Sequence, residues 1–164
     1  MPPSQAAPCS HQSPPQHGTK PLQWRFFPLD MRPMTQNLPA LVTLLTVLLQ
    51  FGTMWAVGHA RGKYGIEAPA VSGHPAFERA YRVQMNTLES TVMFLPTLWL
   101  AAHYGYVFWG GIAGLAWVIG RVWYAMAYLG NASKRGPGYM VSMVGWAAAL
   151  VMGVLGLGRA LLAG

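Results

Sequence analysis

The stretch Leu38–Val57, LPALVTLLTVLLQFGTMWAV, runs for 20 residues without a charged side chain. At ~1.5 Å per residue, a helix of that length crosses a hydrocarbon layer ~30 Å thick. Three more apolar segments follow. Val83–Ala102 carries Gln84, Asn86 and Glu89 in its first half, Tyr106–Leu129 has one charge (Arg121), and Gly138–Leu157 has none. Their lengths, and the lack of strict two-residue alternation, predict helices rather than barrel strands. The expected helices cover about 38–58, 77–103, 106–130 and 137–160.

Composition points the same way. Hydrophobic residues make up 53% of the 164 and charged residues 9%, whereas a soluble domain carries ~25% charged residues to cover its surface. The net charge is +7, from 11 Lys+Arg against 4 Asp+Glu. The basic residues are scattered rather than gathered into one patch, which argues against a nucleic-acid partner. A single cysteine, Cys9, excludes an internal disulfide framework and a multi-Cys zinc site. His59, His74 and His103 fall in separate loops without ligand spacing, so no metal is expected. The expected fold class is an all-α, multi-pass integral membrane protein built as a four-transmembrane-helix bundle.

Residues 1–36 hold eight of the 13 prolines, with Ser, Gln and His and no periodic apolar face. That composition predicts a disordered leader preceding a membrane domain at 37–164. Met34 and Met31 stand just before the first apolar run, and the reading carries the expectation that translation starts at one of them. Loop one, read as His59–Ala76, contains Arg61 and Lys63, and Arg79 and Arg82 follow it. Loop three contains Lys134 and Arg135, while the turn around His103–Tyr106 has no Lys or Arg. The positive-inside rule then puts loops one and three in the cytoplasm.

Polar side chains inside a bilayer are costly and read by default as a site. Glu78, Arg82, Asn86 and Glu89 share one face of the second helix, and Arg121, Tyr124 and Tyr128 share one face of the third. If the two faces meet, Glu89 is the expected counter-ion of Arg121, and the set suits a small zwitterionic or anionic ligand. The plainer alternative is a set of interhelical ion pairs that only fix packing. Gly110-x-x-x-Gly114 and Gly156-x-x-x-Ala160 are expected helix-packing patterns.

Residues 77–89, FERAYRVQMNTLE, strongly resemble the signature of the membrane-associated proteins in eicosanoid and glutathione metabolism. This is the family of microsomal glutathione transferases and leukotriene C synthase. Arg61, the run Arg121-x-x-Tyr124-x-x-x-Tyr128 and Lys134-Arg135-Gly136-Pro137-Gly138-Tyr139 match as well, so the resemblance covers roughly 36–160. It implies a homotrimer that binds glutathione, as co-substrate, between neighbours on the cytoplasmic side. Arg82, Asn86, Glu89, Tyr124 and Tyr128 would hold the tripeptide, with Arg61, Gln84 and Arg121 assisting, and Arg135 would stabilise the thiolate. Ser90 departs from the leukotriene-synthase branch, which has a tyrosine there, and this implies a general transferase.

The expected function is conjugation of the glutathione thiolate to lipophilic electrophiles, with glutathione peroxidase activity on lipid hydroperoxides as an open second reaction. A non-catalytic lipid-binding or scaffold member of the family, or a small multidrug transporter, is the alternative. Eight of these residues (Arg61, Arg82, Asn86, Glu89, Arg121, Tyr124, Tyr128 and Arg135), spread over three helices and two loops, lead to one further expectation, that Arg82 and Arg135 reach a shared site from different chains.

Overall fold

The computed structural model describes residues 34–164. The readings of residues 1–33, including the disordered leader, the alternative starts and Cys9, lie outside the described residues. Met34–Gln36, expected to belong to that leader, form with Asn37 a 3-10 turn that leads directly into the first helix.

Four long helices follow: α1 (Leu38–Tyr64), α2 (Pro75–His103), α3 (Val107–Gly130) and α4 (Gly136–Ala163). Three of them, α1, α3 and α4, are long and apolar enough to cross a membrane. With 29 residues α2 has the length, but the polar side chains of its first half make it the least apolar of the four.

Helix α1 runs six residues beyond its expected end at 58, so loop one begins at Gly65 and not at His59. Nothing in His59–Tyr64 breaks a helix, and Val57 and Ala60 are buried against Phe77 and Ala80 of α2. The stop is Gly65, whose left-handed φ of 63° only glycine adopts cheaply. Helix α2 starts at Pro75, two residues earlier than expected. The His74 imidazole accepts a hydrogen bond from the Ala76 N–H, and the Glu78 carboxylate accepts one from the Gly73 N–H, so both satisfy donors at the helix start.

In the central layer the rings of Phe94 (α2) and Trp117 (α3) stack at 4.0 Å between centroids, packed with Val42 of α1 and with Leu98 and Val118. Polar bonds tie the helices at the same depth. Gln50 Nε2 donates to Thr91 Oγ1 at 2.6 Å, and Trp117 Nε1 donates to Ser90 Oγ at 3.3 Å.

The tightest pair is α3 with α4. The buried residues of α4 are Gly138, Ser142, Gly145, Ala149, Gly153 and Gly156, all small and repeating every three or four positions. Small residues let membrane helices approach until backbones touch. A Cβ on Gly138 would strike the Tyr124 backbone nitrogen and lie 2.9 Å from the Gly120 carbonyl, and a Cβ on Gly120 would strike the Ser142 nitrogen. The stripe runs inward from Gly156 and not outward to the expected Ala160, which is exposed, because the contact of Gly156 is with Tyr104.

Gly138→Ala must push the two backbones apart, and is expected to lower the melting temperature of the purified protein by roughly 5 °C. Gly158→Ala, at a position with open space around it, should leave it unchanged. Equal melting temperatures for the two variants would contradict the close approach.

Candidate functional site

The polar face of α2 meets α3 and the turn before α4 at an open cavity of about 390 Å³, lined by Arg82, Met85, Asn86, Glu89, Tyr124, Tyr128 and Arg135. Its volume lies within the ~300–1,000 Å³ of small-molecule sites. Six of the nine residues singled out in the sequence therefore converge within one chain. Arg82 and Arg135 line the same cavity of one chain, where the sequence suggested residues drawn from different chains. The Ala132–Arg135 turn folds back beside the end of α3, bringing Arg135 over the Tyr128 ring at 5.3 Å.

Each lining residue is placed by its element. Arg82, Met85, Asn86 and Glu89 recur at three- and four-residue intervals along α2, so they share one side of it. Tyr124 and Tyr128 are one turn apart on α3, with ring centroids at 5.6 Å. The Asn131 side chain accepts from the Ser133 N–H and shapes the turn that carries Lys134 and Arg135. Arg79, outside the expected set, donates through Nε to the Leu129 carbonyl at 3.2 Å and ties the end of α3 to α2.

Arg121 is not a lining residue. It is 1% exposed and lies beneath the cavity, where NH1 donates to Asn86 Oδ1 at 2.9 Å. Its guanidinium carbon sits 5.8, 5.3 and 5.5 Å from the rings of Trp117, Tyr124 and Tyr139, a geometry that favours a cation. The expected pairing with Glu89 is thus replaced by one with Asn86. Asn86 is half-buried towards α3, while Glu89, three residues on, is turned outward and exposed.

Two further residues lie apart. Arg61 donates to the Ile66 carbonyl at 3.2 Å and stands 4.8 Å over the Phe77 ring, closing the end of α1. Gln84 is half-buried on α2 and does not line the cavity.

The sequence reading missed Met85 and Tyr139. Periodicity alone placed Met85 three residues after Arg82 and four before Glu89. Tyr139 belonged to a quoted motif, but its approach to Arg121 depends on how closely α4 packs.

Arg82 and Arg135 bring fixed positive charge, Glu89 one carboxylate, and the tyrosines two phenols. The charges of such a surface complement a ligand with more than one carboxylate and a single ammonium. No imidazole is among the described residues that line the cavity.

The MAPEG family model matches residues 39–155. An uncharacterized protein of Synechocystis sp. is 43% identical over 117 residues, covering 71% of this chain and 85% of that one. Human microsomal glutathione S-transferase 2 is 36% identical over 75% of this chain and 84% of its own length. Leukotriene C4 synthase of Cavia porcellus is 37% identical over 72% and 79% respectively. The family model spans the whole described bundle up to the last turns of α4, and the chain belongs to the MAPEG family.

Proposed function

We propose that this protein is a membrane-bound glutathione transferase whose cavity between α2, α3 and the Arg135 turn holds glutathione and presents its thiolate to lipophilic electrophiles. The observation that carries this reading is the convergence of Arg82, Asn86, Glu89, Tyr124, Tyr128 and Arg135 on one cavity within a single chain. Two guanidiniums answer the two carboxylates of glutathione, Glu89 its ammonium, and Asn86 and the phenols its peptide groups. Relatives named as microsomal glutathione S-transferase 2 and leukotriene C4 synthase support the substrate class.

Only the thiolate attacks, and a free thiol of pKa ~8.5 is mostly protonated at neutral pH. A guanidinium beside the sulfur stabilises the anion and lets the proton pass to water without a base. Arg135, on a turn at the mouth of the cavity and next to the positive end of α4, is the proposed catalytic residue. With an aryl halide, the sulfur lone pair forms the C–S bond, and the carbon–halogen pair leaves with the halide. Reaction from the lipid side suits an apolar electrophile.

The proposal extends to a homotrimer in which α2 spans the membrane as the fourth crossing, with the site on the cytoplasmic side. At ~1.5 Å per residue the 29 residues of α2 reach ~43 Å. Its outer face mixes exposed Leu88, Val92, Met93 and Trp99 with the exposed charges of Arg82 and Glu89. A charge facing lipid costs roughly 3 kcal/mol, and a neighbouring copy over that face removes the exposure. Arg61 and Gln84 are proposed to assist glutathione binding from such a neighbour, since neither reaches the cavity of its own chain.

The test is conjugation of a model aryl halide by the detergent-purified protein. Arg135→Ala is expected to lower kcat roughly tenfold or more with a smaller effect on glutathione affinity, and to abolish the thiolate absorbance signal. An unchanged thiolate signal removes Arg135 from that role. Trimers co-assembled from Arg82→Ala and Arg135→Ala subunits should be no more active than the parents, because every cavity then lacks one arginine. Recovery in verified mixtures would return the pair to different chains.

A further inference from the structure

Arg121 is a buried cation whose hydrogen-bonding partner is a carboxamide and not a carboxylate. That choice fixes the chemistry of the cavity floor. A guanidinium has donors only, while the Asn86 side chain has one acceptor end and one donor end. The oxygen of Asn86 must therefore face Arg121 NH1, 2.9 Å away. Asn86 lines the cavity while Arg121, 1% exposed, does not. The nitrogen is thus the end left for the cavity. Arg121 cannot swing away to release it, since the rings of Trp117, Tyr124 and Tyr139 stand 5.3–5.8 Å from its guanidinium carbon.

We infer that Arg121 is a positioning residue: it locks the Asn86 carboxamide as a donor, so that this point of the cavity accepts only an acceptor oxygen of the ligand, a carboxylate or a peptide carbonyl. An aspartate at position 86 would neutralise the buried guanidinium more fully, but it would show the cavity an acceptor. The carboxamide keeps a donor at the floor, and it is through that donor that Arg121 acts on the group above. The inference rests on the glutathione reading and narrows it: Asn86 meets an oxygen of the tripeptide, and its ammonium is left to Glu89.

The experiment measures KM and kcat for glutathione, with calorimetric binding, in the assembled wild-type protein and in Asn86→Ala, Arg121→Met, the double variant and Asn86→Asp. Wild type that binds no glutathione overturns the transferase reading and this inference with it. Given wild-type binding, Asn86→Ala and Arg121→Met should each raise KM roughly tenfold while kcat at saturation stays within about twofold, because Arg135 is untouched. The double variant should be no worse than Asn86→Ala alone, since Arg121 acts through Asn86. Effects that multiply in the double variant overturn the inference. Asn86→Asp keeps a partner for Arg121, and so decides the matter even if Arg121→Met fails to assemble. It should bind glutathione at least tenfold more weakly than wild type, and wild-type or tighter binding overturns the donor assignment.

Discussion

A guanidinium that is 1% exposed, with no carboxylate paired to it among the described residues, is the constraint around which the half of the bundle nearest the Ala132–Arg135 turn is arranged. An isolated buried charge is expensive. Arg121 is held by one hydrogen bond from α2 and by aromatic faces from α3 and α4, each face contributing roughly 0.5–2 kcal/mol depending on desolvation. Tyr139 comes within 5.5 Å of the guanidinium carbon because Gly120 and Gly138 let the backbones of α3 and α4 touch. The small-residue stripe of α4 and the buried charge are two parts of one device. Enlarging the first pulls a ring away from the second.

From that point the polar groups rise in order towards the cavity mouth. Arg121 lies under the Tyr124 ring, Tyr124 neighbours Tyr128, and Arg135 covers Tyr128. The two guanidiniums at the ends of this series frame two phenols, so the α3 side of the cavity is positive throughout. The α2 side adds Arg82 and, through Asn86, a donor in place of a second carboxylate. Glu89 is the one acid among the lining residues. Such an imbalance suits the proposed ligand, whose two carboxylates outnumber its one ammonium and whose thiol must lose a proton in place.

Much of this was legible in the sequence because membrane spans and motif spacing are local. Apolar length located the helices, and the intervals within residues 77–89 put Arg82, Asn86 and Glu89 on one side of α2. What depended on approach between helices was not legible. Glu89 was the natural counter-ion for Arg121 by charge alone, yet a rotation of three residues around α2 turns it outward and brings Asn86 inward instead. Position in the chain suggested that Arg82 and Arg135 were too dispersed for one subunit, but the return of the Ala132–Arg135 turn beside α3 joins them. The end of α1 was read at 58 because loop charges resemble solvated loop, whereas burial of Ala60 against α2 carries the helix to Tyr64. Ser90 accepts the Trp117 N–H and packs inside the bundle, so at this position the chain fills its core and not its cavity.

The proposal that one chain's cavity cradles one glutathione meets its decisive check in an experimental structure of the detergent-purified assembly with glutathione bound. The tripeptide should contact Arg82, Asn86 and Arg135 of a single chain, with its sulfur beside Arg135 and one of its oxygens on the Asn86 amide nitrogen. Glutathione bound elsewhere, or touching Arg82 of one chain and Arg135 of another, would contradict it.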